Sequence, residues 1–233
     1  MKKRTAISSH LKKNKWIVIF LLVLLVVYLQ RLTLFPIFAD EAIYLNWADR
    51  VITGEDNPFI SMYDGKPPLY MWVVGVVSLF CNNLLFAGRF VSVISMVVFL
   101  AFTYFALKRY SIVFALTSVA LLAVSPFTFF YSRMALIDMA FSVVSLGAII
   151  TYVVSKHKYR EYIAGLLLGS AFWIKTPALF IIPFPLIYAV IFERNKKAIM
   201  RASIAIGTAL ISIALLKVSV WFPSLFGRSQ DFT

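Results

Sequence analysis

Long apolar runs recur along this chain, separated by short polar stretches. The runs fall at about 16–35, 84–107, 111–132, 136–155, 162–176, 177–192 and 203–222. A helix needs roughly 20 apolar residues to cross a bilayer, and most of these runs approach or exceed that length. The pattern therefore predicts an all-α membrane protein, a polytopic bundle of about seven transmembrane helices. The fifth and sixth runs are short and are split by "KTP" at 175–177. Between Ala39 and Val51 the periodicity changes. Polar and apolar positions alternate with helical spacing, so Asp40, Tyr44, Trp47 and Val51 share one face. Pro36 marks the end of the first run just before this helix.

One further apolar segment, "PPLYMWVVGVVSLF" at 67–80, decides the topology. If it crosses, every later loop changes side. Basic clusters lie at 2–15, 108–109, 156–160 and 193–201. All four share one side only if 67–80 does not cross. Lys and Arg are retained in cytoplasmic loops, so the non-crossing arrangement is preferred. The segment then reads as a re-entrant or interfacial helix in the first extracytoplasmic loop.

Composition agrees with a membrane protein: 61% of the 233 residues are hydrophobic, and the mean hydropathy is +0.87. The net charge of +13 does not point to nucleic acid, because the basic residues are confined to the inter-span clusters. The single cysteine, Cys81, excludes an intrachain disulfide. The first apolar run is too long for a cleaved signal sequence and reads as a signal anchor. Three segments result: a cytoplasmic basic N-terminus at 1–15, a transmembrane domain at 16–222 containing the extracytoplasmic loop 36–83, and an extracytoplasmic tail at 223–233. The protein is expected in the cell membrane, multi-pass, with its N-terminus cytoplasmic. Eight of the ten acidic residues then lie outside, most of them in the loop 36–83. Long loops in compact proteins tend to carry function.

Candidate chemistry follows from these acids and from the few cations near the same face. Asp40 and Glu41 open the helix after Pro36. First-turn acids are favoured by the helix dipole, which is an ordinary structural role. A carboxylate beside aromatic rings at the membrane boundary can also act as a general base. In "YDGKPPLYMW", Lys66 precedes a Pro-Pro pair that stiffens the backbone. It either snorkels at the interface or meets an anionic headgroup. In "YSRMALIDMAFS", Arg133 and Asp138 lie in a tight turn and either pair together or face a site. Lys175 interrupts an apolar stretch, and Arg89 is a weaker candidate of the same kind. Ionisable residues at membrane depth are functional candidates. No nucleotide-binding glycine loop, His-Cys cluster or Ser-His-Asp set is present.

Taken in order, "ADEAIY", "GKPPLYMW", "SRMALID" and "IKTP" resemble the membrane-embedded GT-C glycosyltransferases of the protein O-mannosyltransferase and lipid A aminoarabinose transferase type. The likeness runs from about Phe35 to Phe192. It implies transfer of a sugar from a polyprenyl-phosphate donor, drawn from the membrane, to an acceptor hydroxyl of protein, lipid or glycan outside the cytoplasm. By position, Asp40, Glu41 and Asp138 are the candidate catalytic carboxylates, with Asp40 the base and Glu41 chiefly supporting the helix start. Lys66, Arg133 and Lys175 are the candidate contacts to the donor phosphate. Tyr44, Trp47 and Tyr70 are the candidate lining residues. A divalent cation is the one cofactor the resemblance leaves open. An acid can precede the motif lysine in relatives, whereas Gly65 does so here. Relatives are longer, so the chain reads as an N-terminal portion.

Two other classes compete. A flippase or transporter for a lipid-linked anion would also put cations at membrane depth, and would show inverted repeats and broken central helices. A non-catalytic membrane protein would leave the gathering of acids in one loop without a reason. The enzyme reading requires Asp40, Lys66 and Asp138 to converge.

Overall fold

The computed structural model describes residues 15–221, with side chains through Val218. The basic N-terminus and the tail beyond 222 lie outside the described residues. The described residues are 78% helical. Its helices are α1 (Lys15–Leu29), α2 (Ala39–Thr53), α3 (Leu69–Ser78), α4 (Leu84–Leu107), α5 (Ile112–Val124), α6 (Pro126–Ser132), α7 (Ile137–Val154), α8 (Arg160–Ile174), α9 (Phe184–Tyr188) and α10 (Lys196–Trp221). Two 3₁₀ turns, Ile60–Asp64 and Thr176–Phe180, and a π turn, Ala189–Glu193, complete the described elements.

Among the described residues, four segments are long and apolar enough to cross a membrane: Leu84–Leu107, Ile137–Val154, Thr176–Glu193 and Lys196–Val218. A fifth crossing results if α5 and α6 count as one span. This is fewer than the seven runs suggest. The run at 111–132 is bent by 65°. The reason is local: Ser125 takes an extended conformation, and Pro126 has no N–H to continue the helix. The run at 177–192 is likewise irregular, because Pro177, Pro183 and Pro185 divide it into 3₁₀, α and π pieces. The ten residues of α3 reach only about 15 Å, half the hydrocarbon thickness. A helix of that length is too short to span the hydrocarbon layer by itself.

Contacts between helix ends show which ends share a face. Arg133, after α6, donates to Tyr28 O and Gln30 O at the end of α1. Lys175, after α8, meets Asp138 at the start of α7. Arg89, near the start of α4, reaches Leu32 O and Phe35 O. At the opposite face, Arg201 of α10 pairs with Glu193 and lies 3.9 Å from Glu161 of α8. Glu161 also accepts from Arg160.

Beneath the first of these faces, Tyr44, Leu45, Ala48, Tyr70, Met71, Val74 and Ile174 form a buried cluster with residues 134–137. It joins α2, α3 and α4 to the α6–α7 turn. A second cluster seals α1 against α4 and α5. The outer faces of α1, α5 and α10 carry many exposed Leu, Val, Ile and Phe side chains. Such faces suit lipid rather than water. Between α8 and α10 the packing is close, since a Cβ on Gly165 would lie 2.4 Å from Ala205 O.

Candidate functional site

The site is built on the N-terminal turn of α2. Asp40 and Glu41 are neighbours in sequence but point into different surroundings. Asp40 is exposed. It has no hydrogen bond or ion pair among the described residues. Glu41 is fully buried. Its Oε1 accepts from Arg89 Nε and from the Ala135 N–H, each at 2.7 Å. Its Oε2 accepts from Arg89 Nη2 at 2.7 Å and from the Phe38 N–H at 3.1 Å. Arg89 spends its remaining N–H groups on Leu32 O, Phe35 O and Pro36 O, at 2.8, 3.1 and 3.0 Å. All five donors of the guanidinium are thereby used. Burial alone would raise the Glu41 carboxyl, but Arg89 and the two backbone N–H groups outweigh it and hold it below the usual value. Glu41 therefore ties together the end of α1, the start of α2, α4 and the turn before α7. It presents no free oxygen to a substrate.

Lys66 is set by the turn before it. The 3₁₀ turn Ile60–Asp64 ends at Gly65 with φ +70°, a left-handed conformation that favours glycine. The Lys66 N–H then donates to Ser61 O at 3.0 Å. This accounts for Gly65 directly before the lysine. The Lys66 ammonium lies 5.3 Å from the centre of the Tyr44 ring and 5.5 Å from that of Trp47. Aromatic faces attract a cation at such distances. Its Nζ donates to Asp64 Oδ2 at 2.8 Å, and this bond raises the ammonium above its usual pKa. Asp64 is a contact that the sequence reading missed. Its signal was the spacing of two across a tight turn.

Lys175 stands where α8 ends and the 3₁₀ turn begins. Its Nζ donates to Asp138 Oδ1 at 2.8 Å, and both side chains are about one-third exposed. Burial pushes the Tyr44 phenol up, and its hydroxyl feels the charges of Lys66, Asp40, Asp138 and Asp64 together. Tyr44 thus carries Lys66 on its ring, and Asp64 with it, while Lys175 and Asp138 form a second pair.

Two candidates are placed apart. Arg133 lies with its guanidinium on the carbonyls of Tyr28, Gln30 and Arg31 and over the Phe129 ring. It pairs with the end of α1 and not with Asp138. Tyr70 is 1% exposed and sits under Tyr44, with its ring centre 6.3 Å away. Its hydroxyl is 3.3 Å from Gly88 O and from Ser92 Oγ. Tyr44 is also buried, while Trp47 is half-buried.

Among the described residues no three Asp, Glu, His or Cys side chains form a group that could hold a divalent cation. The site carboxylates Asp64 and Asp138 are each engaged by a lysine instead. What these residues offer is an unpaired carboxylate, two lysine ammonium groups and aromatic rings.

Residues 65–222 match the model of the dolichyl-phosphate-mannose-protein mannosyltransferase family. The match includes Lys66, Tyr70, Arg133, Asp138 and Lys175 and begins after Asp40 and Glu41. Neither a curated relative nor a solved structure matched the chain. Since the family model covers more than half of its length, the chain belongs to the dolichyl-phosphate-mannose-protein mannosyltransferase family, a group of GT-C-type membrane glycosyltransferases.

Proposed function

We propose that the protein transfers a sugar from a polyprenyl-phosphate donor to an acceptor hydroxyl on the extracytoplasmic side of the membrane. The observation that carries this reading is the Lys66 ammonium lying over the Tyr44 and Trp47 rings of α2, the helix whose first turn bears Asp40. Asp40, with no partner among the described residues, takes the proton of the acceptor hydroxyl as general base. The acceptor oxygen bonds to the anomeric carbon while the bond from that carbon to the phosphate oxygen breaks. The electron pair leaves with polyprenyl phosphate, whose charge Lys66 and Lys175 offset. Trp47 and Tyr44 hold Lys66 in place, and the half-buried Trp47 offers its ring to the sugar. Glu41 acts through structure, fixing the turn that carries Asp40.

Seven helical segments between 16 and 222 cross the membrane in this reading, and 36–83 lies outside. The broken pieces at 111–132 and 176–193 each count as one crossing. The four basic clusters then share the cytoplasmic side, in keeping with the retention of Lys and Arg there.

The test is transfer by the full-length protein in membranes, using radiolabelled polyprenyl-phosphate sugars. Asp40→Asn should lower the rate about 10²–10⁴-fold without loss of folded protein. Near-full transfer by this variant would remove Asp40 from the chemistry.

A further inference from the structure

Each lysine of the site is occupied by a carboxylate of the same chain. Lys66 holds Asp64 and Lys175 holds Asp138, both at 2.8 Å. These pairs differ in kind from Arg89–Glu41. The arginine pair is bidentate and fully buried, and every lone donor around it is used. The lysine pairs are single contacts open to water. The Asp64 side chain is 57% exposed, and those of Lys175 and Asp138 are 33% and 34% exposed. Ion pairs of this sort are weak and exchange readily.

The backbone at each lysine is anchored independently of the carboxylates. Lys66 is fixed by its backbone bond to Ser61 O and by the rings of Tyr44 and Trp47. Lys175 is fixed by its N–H to Ala171 O and by its own carbonyl, which accepts from the Ala178 N–H.

We propose that Asp64 and Asp138 are internal stand-ins for a phosphate oxyanion. An arriving phosphate displaces both from their lysines, and Asp138 is released only when the donor is seated. The carboxylates thus keep two cations satisfied in the empty site and set a threshold that a weaker anion does not pass. The inference rests on the donor reading above and adds to it the exchange of partners.

The test measures binding of a polyprenyl monophosphate to the full chain in nanodiscs of zwitterionic lipid, with the free polyprenol and inorganic phosphate as separate arms. Asp64→Asn and Asp138→Asn should each bind the polyprenyl phosphate about two- to fivefold more tightly than wild type, the scale of an exposed ion pair. Inorganic phosphate should compete better in these variants. Lys66→Met and Lys175→Met should bind about tenfold more weakly or worse. In the unaltered protein, carbodiimide labelling of Asp64 and Asp138 should rise when the polyprenyl phosphate is added. This arm holds even if a variant does not fold. Equal or weaker binding by the Asn variants, or labelling that does not rise, overturns the exchange and leaves the donor reading intact. Binding that is absent, or is unaffected by both Lys→Met changes, overturns the donor reading and the exchange with it.

Discussion

Arg89 holds Glu41 through both carboxylate oxygens at 2.7 Å, and neither side chain is exposed. Removing one partner of such a pair leaves the other charged and buried, at a cost of about 3–5 kcal/mol. Arg89→Ala and Glu41→Ala should each destabilise the protein on that scale. Arg89→Lys should also fail to restore it, because a lysine cannot form the two parallel bonds. Because the residues share one network, the double variant should cost clearly less than the sum of the two. Thermal unfolding in detergent checks this; losses below about 0.5 kcal/mol, typical of surface sites, would contradict it.

Gly65 sets the approach to Lys66 through its left-handed backbone. A Cβ there would meet nothing within 4 Å, so any cost is conformational. Gly65→Ala should cost about 1–2 kcal/mol, and Gly65→Asn less, since asparagine tolerates that conformation. Both should weaken polyprenyl-phosphate binding by moving Lys66, with Ala worse than Asn. Binding and unfolding measured on the same samples decide it. An unchanged affinity in Gly65→Ala would mean that the turn does not position the lysine.

The seam between α8 and α10 supplies its own control. At Gly165 a new Cβ would press on Ala205 O at 2.4 Å and on Thr208 Cβ at 2.6 Å. At Gly207 the same atom would meet nothing within 4 Å. Gly165→Ala should therefore destabilise by about 1–3 kcal/mol as an overpacked site. Gly207→Ala should be neutral or stabilise by up to about 1 kcal/mol through helix propensity. Opposite shifts in melting temperature are expected, and equal shifts would rule out a tight seam.

Sidedness is accessible by labelling. Glu55 is exposed in the loop 36–83. With Cys81 replaced, Glu55→Cys should react with a membrane-impermeant thiol reagent in intact cells. Reaction only after lysis would reverse the proposed orientation.

What the sequence made legible was carried by contiguous signals. The helix expected from Ala39 to Val51 is Ala39–Thr53, because the amphipathic spacing and Pro36 lie within a few residues of it. The short run at 67–80 yields a helix of only ten residues, Leu69–Ser78. Glu41 was harder to read. Its first-turn position suggested either a base or a dipole partner, whereas its fate is set by Arg89, 48 residues later. Arg133 and Asp138 looked like a local pair, yet each has a distant partner, Tyr28 O and Lys175. Tyr70 shares a motif with Lys66, but the start of α3 turns its ring into the core. Facing across helices is a property of packing, and no local window contains it.

The cap that Arg133 places on α1 bears on how the protein is made. Tyr28 and Arg133 are 105 residues apart. At about 5–20 residues per second, roughly 5–20 s of synthesis separate them. Until then the last carbonyls of the first helix have no protein donor from this arginine and depend on water at the membrane surface. The Ala135 N–H that completes Glu41 arrives in the same interval. The first loop can settle only after the ribosome has delivered residues 133–138, so the anchoring of the turn that carries Asp40 is completed late although its acids are translated early.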